Sequence, residues 1–465
     1  MSEQDCKDGG LEPQGEAAFR DIDEAIAWIT QRMPKFGIQV GLKRMERLME
    51  LLGHPHRRLK FIHVAGTNGK GSTCAYLTRV LVQSGYDVGT FTSPYIERYQ
   101  NRIQLNGVDI DDESLLKLAN QIKPFADGMA QTDIGAPTMF EVSTAIAIAY
   151  FARIAFPDLV VWETGLGGRL DSTNIVAPIV SVITNVGHDH MDILGNSIEE
   201  IASEKAGIIK PGVPVVCTVE QPEAVEVMRR TAAERRTTLY LMGDQFRYAS
   251  VESAVEHQVF DFSGPFRDVP GIGIALSGAH QQKNAALAVM TLEVLRQYYA
   301  VLVDDENLLE GMRTAAWAGR LEMIRREPPL LLDGAHNPEG AATLAEALRT
   351  VYPHKRLHLM MGMMPTKSHS DYLRHILPLV DTLIVTEPVF FKKMDADALA
   401  DLAREVAGEL ALIIPIDVEK DYREALRMLT ERTEPGDLAV VSGTLYLISD
   451  VRAWILYRKD SDKGW

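Results

Sequence analysis

The sequence predicts an α/β protein with a mostly parallel sheet in a large N-terminal domain and a smaller, Rossmann-like C-terminal domain. Two observations lead to this prediction. Short apolar segments alternate with helical patterns from Leu59 onward, and a second alternating series begins after Arg320. Such alternation is typical of βαβ units, whose strands are parallel. The length of 465 residues suits two large domains better than one.

In the N-terminal series, the helix after the first strand is predicted to end at Gly85, a residue type typical of helix C-termini. A later helix is predicted to begin at Ser197, because Glu200 completes a capping box three residues on. For the polar segment 221–270 we expect strands and loops at a sheet edge. The predicted strands are LKFIHV, DVGTFTS, LVVWET, PIVSVITNV and VPVVCTV.

The C-terminal series predicts strands in PPLLLD, RLHLMMGM, TLIVTEP, LALIIPI and DLAVVSG, with a helix after each. The segment AAWAGR, residues 315–320, is the predicted joint between the domains. We therefore expect domains at 18–316 and 317–465. No G-x-G-x-x-G motif follows any of these strands, which disfavours a nicotinamide-dependent dehydrogenase.

Composition and charge restrict the class of protein. Hydrophobic residues make up 46% and charged residues 24%, which is typical of globular proteins. Three cysteines without C-x-x-C spacing favour a reducing compartment, so a cytoplasmic location is expected. Residues 1–17 have no signal-peptide pattern, and we expect a disordered tail there.

The formal charge of −16 argues against a nucleic-acid partner, because phosphate backbones require a basic surface. No apolar run approaches the length needed to cross a bilayer, so no membrane partner is expected. An anionic substrate would need positive charge concentrated in its site, since the field of the whole molecule would repel it.

A glycine-rich loop, HVAGTNGKGST, joins the first predicted strand to the next helix. Its spacing departs from G-x-x-x-x-G-K-[ST], because Val64 replaces the first glycine and Gly71 separates Lys70 from Ser72. Backbone N–H groups at such a helix N-terminus converge on phosphate, with Lys70 reaching the outer phosphates and Ser72 reaching magnesium. A tight turn without a ligand is the disfavoured alternative. We expect a P-loop ATPase domain that binds ATP.

Three polar residues, Ser93, Glu163 and His190, come at or after the ends of predicted strands. Open α/β sheets bind ligands beyond the carboxyl ends of their strands. Together with Ser72, these side chains could surround one or two Mg²⁺ ions that carry ATP. Ser93 could instead only shape a turn, Glu163 could cap a loop, and His188 with His190 could form a zinc pair.

Other candidates lie further along the chain. Lys205, in the predicted helix SEKAGII, is either a solvated residue or chemically altered, because an ammonium beside Mg²⁺ would be repelled. LLDGAHNPEG places Asp333 and His336 between a strand and a helix, and Arg320 lies at the joint. These three would face the nucleotide if the domains close on each other. The alternative for this segment is a turn and a helix cap.

Taken together, these segments resemble the folylpolyglutamate synthase and dihydrofolate synthase branch of the Mur ligase family, from about Ala25 to the C-terminus. The resemblance implies an ATP- and Mg²⁺-dependent monomeric ligase that adds L-glutamate to dihydropteroate or to the γ-carboxylate of a folate. It implies that ATP lies between two domains. The matching segments are HVAGTNGKGST, TSPYIERYQNRI, WETGLGGRLDSTN, ITNVGHDHMDILG, EKAGIIKPG, SGAHQQKNA, AGRLE, LLDGAHNPEG and SGTLYLISD.

The resemblance also implies roles for single residues. Lys205 matches a lysine that the family carries as a carbamate, which would make this side chain an anion. The implied magnesium ligands are Ser72, Ser93, Glu163 and His190. The implied nucleotide-binding residues are Thr67, Asn68, Gly69, Lys70, Gly71, Ser72, Asn284, Arg320, Asp333 and His336. The implied catalytic residues are Lys70, Glu163, His190 and Lys205, and the implied substrate-binding residues are Phe140 and Ser442.

One segment departs from the family. Many relatives have an acidic D-K-D-like motif after the strand RLHLMMGM, whereas residues 365–369 read PTKSH and retain Lys367 without flanking aspartates. The resemblance therefore implies no role that depends on those aspartates. Two other functions stay open at this stage: a Mur ligase that acts on a cell-wall nucleotide precursor, and a P-loop ATPase switch. The GTNGKGS and TSPYIERY segments favour the folate ligase, and substrate-dependent ADP release would decide.

Overall fold

The larger sheet of the molecule has eight strands in the order β4-β3-β2-β5-β1-β6-β7-β8. The computed structural model describes residues 18–32, 40–365 and 369–461, so the predicted tail and Lys367 lie outside the described residues. Neighbouring strands from β2 to β8 are parallel, and only β3 and β4 at one edge are antiparallel. The strands are β1 (Phe61–Ala65), β2 (Val88–Phe91), β3 (Ile103–Leu105), β4 (Val108–Asp109), β5 (Leu159–Glu163), β6 (Pro178–Ile183), β7 (Val215–Cys217) and β8 (Leu239–Leu241).

Helices cover both faces of this sheet. One apolar cluster buries α3 and α9 against one face, and a second buries α1, α2, α4 and α5 against the other. The helices are α1 (Ile22–Thr30), α2 (Lys43–Leu51), α3 (Lys70–Gln83), α4 (Asp112–Met129), α5 (Met139–Tyr150), α6 (Met191–Leu194), α7 (Ile198–Ala206), α8 (Pro222–Glu234), α9 (Ala279–Tyr299) and α10 (Asp305–Thr314). Helix α7 begins with the predicted capping box of Ser197 and Glu200, and α3 is followed by Gly85 in a left-handed conformation.

The prediction for segment 221–270 was wrong in part, because about its first quarter is helix α8. Pro222 sits at the first position of this helix, and the buried residues Ala224, Val227, Met228 and Ala232 form one apolar face. Charged residues between them hid the helical period. The rest of the segment does form strands, namely β9 (Arg247–Ala254), β10 (His257–Ser263) and β11 (Asp268–Ile274) of an antiparallel sheet.

A separate six-stranded sheet forms the C-terminal part, in the order β12-β13-β17-β14-β15-β16. All neighbours are parallel except β12, an antiparallel edge strand. The elements are β12 (Glu322–Arg326), β13 (Pro329–Leu332), α11 (Pro338–Thr350), β14 (Leu357–Met361), α12 (His369–Ile376), β15 (Thr382–Glu387), α13 (Ala396–Glu409), β16 (Ile416–Asp421), α14 (Tyr422–Arg432), β17 (Leu438–Ser442) and α15 (Leu445–Tyr457). The predicted α/β fold is confirmed.

The strand predicted in LALIIPI lies later in the chain, at β16. Ala411 has a positive φ of 53° and Ile413 is fully exposed, so the apolar run 410–415 is a connection after α13 and not a buried strand. Among the described residues, no helix combines the length and the apolar character required to span a bilayer.

Candidate active site

The glycine-rich loop lies between β1 and α3, where Asn185 holds its backbone. Asn185 Oδ1 accepts hydrogen bonds from Thr67 N at 3.1 Å and from Asn68 N at 2.8 Å. Thr184 Oγ1 donates to Asn68 O at 2.6 Å. These two residues directly follow β6, which runs beside β1, so the loop is held by the segment that follows the neighbouring strand.

Two glycines of the loop are required by close approach as well as by backbone conformation. Gly66 has φ +155°, and a Cβ there would lie 1.8 Å from Thr184 Oγ1. Gly69 has φ +82°, and a Cβ there would lie 2.5 Å from Asn284 Oδ1. L-residues with side chains rarely adopt these angles, so the loop can only have this shape with glycine at both positions.

Lys70 and Ser72 begin α3 at the mouth of the loop. Lys70 Nζ donates to Gly66 O at 3.1 Å and to Thr67 O at 3.3 Å, and burial lowers the pKa of this ammonium. Ser72 is buried, and its Oγ accepts from Gln281 Nε2 at 3.2 Å. Asn284 in turn donates to Gln281 Oε1 at 3.1 Å, so the N-terminal part of α9 borders the loop.

Glu163 ends β5, the strand next to β1, and its carboxylate is almost fully buried. Glu163 Oε2 accepts from the backbone N–H of Ser93 at 2.9 Å. Burial raises the pKa of Glu163 to about 7, against the opposing effects of Lys70, this N–H group, Arg320 and Arg102. The site therefore contains a carboxylate that a nearby cation would return to its charged form.

His190 and His336 approach the loop from the two sheets. Burial lowers the pKa of His190 to about 4 and also lowers the pKa of His336. His336 Nδ1–H donates to Gly334 O at 2.9 Å, and its Nε2 lies 3.5 Å from Asp189 Oδ2. Both imidazoles are neutral near pH 7, so each has one ring nitrogen that can accept a hydrogen bond or coordinate a cation.

Asp333 directly follows β13 and holds the turn that carries His336. Its Oδ1 accepts from Ala335 N at 2.9 Å, and its Oδ2 accepts from Leu321 N at 3.0 Å. Burial raises the pKa of this carboxyl group, with Arg320 acting in the opposite direction. Arg320 itself packs against Gly334, where a Cβ would lie 2.4 Å from Nη1. The structure thus brings Arg320, Asp333 and His336 together.

Lys205 lies near the end of α7 with only 2% of its surface exposed. Burial, together with the nearby Lys70, shifts the pKa of its amine well below the usual lysine value. The interpretation of Lys205 as a solvated helix residue is therefore wrong. An uncharged amine or a chemically altered side chain fits this position better than an ammonium.

A cavity of about 130 Å³ connects most of these groups. It is the space enclosed by the loop, the ends of β5 and β6, and the start of the C-terminal part. Predicted site residues in its wall are Thr67, Asn68, Gly69, Lys70, Gly71, Ser72, Ser93, Glu163, His190, Lys205, Arg320 and His336. Asn284 and Asp333 do not line it, and they contact Gly69 and the backbone of Leu321 respectively.

A second cavity of about 790 Å³ adjoins the first, and Ser93, His190 and His336 line both. Its walls include Phe140, whose ring packs against Gly165, where a Cβ would lie 2.5 Å from the ring. Ser442 is fully buried and shares a 2.8 Å hydrogen bond with Tyr372. Its neighbours Gly443, Thr444, Leu445 and Tyr446, and not Ser442 itself, line the larger cavity.

Several residues in this region were not singled out from the sequence. Arg102 is 2% exposed and lines the larger cavity, and its Nε and Nη1 atoms have no hydrogen-bond partner among the described residues. Asp171 lines the same cavity and accepts from Leu166 N at 2.7 Å. Asn337 links the loop to α11. Arg102 and Asp171 lie in matching segments, TSPYIERYQNRI and WETGLGGRLDSTN, so the signal for both was present but not assigned to them.

A zinc site is not supported. His188 is exposed and its Nδ1 lies 3.3 Å from Glu339, whereas His190 faces the cavities. Within residues 18–32, 40–365 and 369–461, no group of three or more His, Cys, Asp or Glu side chains is placed to hold a metal ion.

Comparison with known families identifies two domains. Residues 128–292 match the Mur ligase middle domain, and residues 319–445 match the Mur ligase glutamate ligase domain. The chain is 40% identical to the dihydrofolate synthase/folylpolyglutamate synthase of Bacillus subtilis over 434 residues, which cover 93% of this chain and 99% of that protein. It is 33% identical to the folylpolyglutamate synthase of Lacticaseibacillus casei, with 93% and 98% coverage.

Solved structures give the same result. The folylpolyglutamate synthase of Mycobacterium tuberculosis, solved with ADP and AMPPCP, aligns with a TM-score of 0.86 at 28% identity, covering 95% of this chain and all of that one. Escherichia coli FolC, solved with DHPP and ADP, aligns with a TM-score of 0.83 at 26% identity, covering 96% of this chain and all of that one. These relatives do not favour a cell-wall ligase or a P-loop switch. The chain belongs to the dihydrofolate synthase and folylpolyglutamate synthase family of Mur ligases and is an ATP-dependent ligase.

Proposed function

We propose that this protein joins L-glutamate to a dihydropteroate or folate acceptor, with ATP in the small cavity and the acceptor in the large one. One observation carries this proposal: the two cavities meet at Ser93, His190 and His336. A phosphate held by the loop and a carboxylate at the inner end of the large cavity would meet at this junction. The relatives solved with ADP, AMPPCP and DHPP support the assignment.

The phosphates of ATP would lie against the loop. The backbone N–H groups at the start of α3 and the ammonium of Lys70 supply positive charge there. Lys70 Nζ binds two carbonyl groups of its own loop, and a phosphate oxygen would replace them as its partner. Arg320 and His336 would contact the nucleotide from the C-terminal side, with Asp333 positioning both and Asn284 bordering Gly69.

The residues at this site fit Mg²⁺. Magnesium usually takes one or two protein carboxylates and completes its shell with phosphate oxygens and water, so a cluster of acidic residues is not needed. Ser72, Ser93, Glu163 and His190 would hold it, and the buried carboxylate of Glu163 is the group that gains most from a dication. The ion would offset the negative charge of the phosphates.

The larger cavity suits a flat aromatic acceptor with an acidic end. Phe140, Phe391 and Tyr446 supply aromatic walls, and Asp171 offers a carboxylate to ring N–H donors. Arg102 lines this cavity and lies over the ring of Tyr95 at 4.8 Å. Its Nε and Nη1 atoms are buried without a hydrogen-bond partner among the described residues. A buried, unpaired guanidinium is costly unless an anion binds it, so we assign it to a substrate carboxylate.

The reaction would proceed in two steps. A carboxylate resists nucleophiles because of its charge, so an oxygen of the acceptor carboxylate first attacks the γ-phosphorus, and ADP leaves. Lys70 and the loop N–H groups stabilise the charge on the transferring phosphoryl group. The neutral amine of glutamate then attacks the acyl carbon, the carbon–oxygen bond to phosphate breaks, and inorganic phosphate leaves with that oxygen. The amine proton passes to solvent, and the amide remains.

Lys205 would act as a carbamate, in keeping with its burial beside the phosphate cavity. In carbamate formation the neutral amine would add to CO₂ and release one proton. This replaces an amine whose charged form is disfavoured by burial with an anion that can bind a cation. Phe140 would contact the acceptor directly, and Ser442 would support the glutamate side through Gly443 to Tyr446.

We assign residues 18–316 to the ATPase domain and residues 317–465 to the glutamate ligase domain, and we expect a monomer without nucleic-acid or membrane partners. A cytoplasmic location is supported by Cys74 and Cys217, which are free and buried thiols.

The experiment is an assay of ADP release by the purified protein with ATP, Mg²⁺ and L-glutamate. Three arms contain dihydropteroate, tetrahydrofolate or no acceptor, and each is repeated without glutamate. We expect sustained ADP release only when an acceptor and glutamate are both present. The arm that responds identifies the acceptor class. ADP release that is indifferent to acceptor and glutamate would contradict the proposal.

A further inference from the structure

Gly71, the residue that separates Lys70 from Ser72, packs directly against Trp317 of the segment that joins the two parts of the molecule. A Cβ at position 71 would lie 2.6 Å from Nε1 and 2.7 Å from Cε2 and Cζ2 of the indole. Carbon atoms do not approach this closely, so any larger residue would displace the ring. The unusual glycine in the loop therefore provides the space that the indole occupies.

The ring is held in place by its surroundings. Trp317 is half-buried against the apolar cluster that contains α3 and α9. Helix α10, which precedes it, packs along α3, and Arg79 Nε donates to Thr314 Oγ1 at 2.8 Å. Part of the ring borders a cavity of about 430 Å³ between α3, β2 and residues 314–318. The indole is thus fixed relative to α3 before the chain enters the C-terminal part.

The same short segment reaches into the phosphate cavity from its other end. Arg320, three residues after Trp317, lines that cavity. Gly319 is tied to the C-terminal sheet, because its carbonyl accepts from Gly334 N at 2.9 Å and its N–H donates to Glu322 at 2.8 Å. Residues 317–320 therefore connect the loop that receives phosphate with the part of the molecule that closes over it.

We propose that Trp317 is a positioning residue for the nucleotide. Its ring holds the junction of loop and helix at Gly71 in the conformation that binds phosphate, and the segment behind it sets where Arg320 meets the nucleotide. This rests on the proposed function in one respect, that the loop binds the phosphates of ATP.

The first test compares Trp317→Ala with Trp317→Phe. We expect Trp317→Ala to raise the KM for ATP and the Kd for Mg²⁺–ADP about tenfold or more, because small displacements of a binding group are costly. The KM for the acceptor should change little, since Trp317 does not line the larger cavity. Trp317→Phe should bind nucleotide nearly as well as the wild type, because a flat ring still covers Gly71.

The second test is a double-mutant cycle with Gly71→Ala, measured by calorimetric titration with Mg²⁺–ADP. Gly71→Ala alone should weaken binding, because its Cβ displaces the indole. If Gly71 acts through this ring, adding Gly71→Ala to Trp317→Ala should cause no further loss. Two losses that multiply would overturn the inference, because Gly71 would then act on the nucleotide independently of Trp317.

Folding is checked by circular dichroism. If Trp317→Ala does not fold, Trp317→Leu takes its place in the cycle with the same expected outcomes. If the wild type ligates glutamate and the Trp317 variants bind Mg²⁺–ADP as the wild type does, this inference alone fails. If the wild type binds Mg²⁺–ADP but ligates nothing, the proposed function fails and the cycle still decides the role of Trp317. A wild type that does not bind Mg²⁺–ADP overturns both.

Discussion

Asn68 of the phosphate loop and Asn337 of the C-terminal sheet domain pair through their side-chain amides in both directions. Asn337 Nδ2 donates to Asn68 Oδ1 at 3.2 Å, and Asn68 Nδ2 donates to Asn337 Oδ1 at 3.4 Å. Asn337 Nδ2 also donates to Asp189 Oδ2 at 3.1 Å, and its Oδ1 caps α11 by accepting from Gly340 N at 2.8 Å. One buried amide thus joins the loop, the segment that follows β6 and the C-terminal domain.

The two functions of Asn337 can be separated by substitution. Serine keeps the helix cap but is too short to reach Asn68 and Asp189, so Asn337→Ser should lower kcat while thermal stability stays close to that of the wild type. Asn337→Ala should lower kcat similarly and also lose about 1 kcal/mol of stability with the cap. Steady-state kinetics and thermal unfolding of both variants measure this. Unchanged kcat in Asn337→Ser would show that the contact does not align the two domains for reaction.

Lys70 is expected to be essential for every acceptor. Lys70→Ala removes the positive charge that stabilises the transferring phosphoryl group, so kcat should fall about 1,000-fold or more. ADP release measures the effect, and Lys117→Ala, an exposed lysine on α4, is the matched control. A rate near that of the wild type would reject the assignment of the loop to the phosphates.

Lys205→Ala should lower activity because the anion proposed at this position is lost. Short carboxylic acids such as formate or acetate should restore part of the activity, since they can occupy the space vacated by the side chain and supply a carboxylate. Activity is measured with and without millimolar acid, and Lys210→Ala serves as the comparison. Undiminished activity of Lys205→Ala would remove this residue from the site.

His63 lies in the middle of β1, fully buried, with Nε2 3.0 Å from Thr173 Oγ1. Burial lowers the pKa of His63 to about 3, whereas an unfolded histidine titrates near 6.5. Below pH 6.5 the unfolded state therefore binds a proton that the folded state does not. The stability contributed by neutral His63 is complete above pH 6.5 and is lost as the pH falls toward 3.

His63→Gln removes this contribution. The free energy of unfolding should decrease less for the variant than for the wild type between pH 7 and pH 5, by about 2 kcal/mol. Urea unfolding at both pH values measures the difference, and His375→Gln, an exposed histidine on α12, should behave like the wild type. Parallel pH dependence of His63→Gln and wild type would contradict the expectation.

The sequence predicted the elements that have a strong local signal. Capping residues located the start of α7, and the alternation of apolar strands with helices identified both parallel sheets. Helix α8 was not predicted, because its buried face consists of small and medium-sized residues separated by charged ones. Strand β16 was misplaced because the apolar run before it looks like a buried strand. In the structure that run turns at Ala411, which has a positive φ, and it leaves Ile413 exposed.

Those residues of the candidate site that lie at strand ends or in recognisable motifs could be predicted from the sequence. Glu163, His190 and the loop follow adjacent parallel strands, so topology alone brings them to one edge. The contacts between Gly71 and Trp317 and between Asn68 and Asn337 depend on how two domains pack, and no local pattern encodes that arrangement. Arg102 lies in one of the matching segments, but nothing in that segment distinguishes it from its neighbours. Its burial without a hydrogen-bond partner for Nε and Nη1 among the described residues is what distinguishes it.

The central claim is that the γ-phosphate of ATP activates the acceptor carboxylate. The most direct test is to label that carboxylate with ¹⁸O and analyse the phosphate released during glutamate addition by mass spectrometry. Attack by the carboxylate on phosphorus predicts one ¹⁸O atom in each phosphate formed from fully labelled acceptor. Unlabelled phosphate, formed at the same rate as the amide product, would contradict the account.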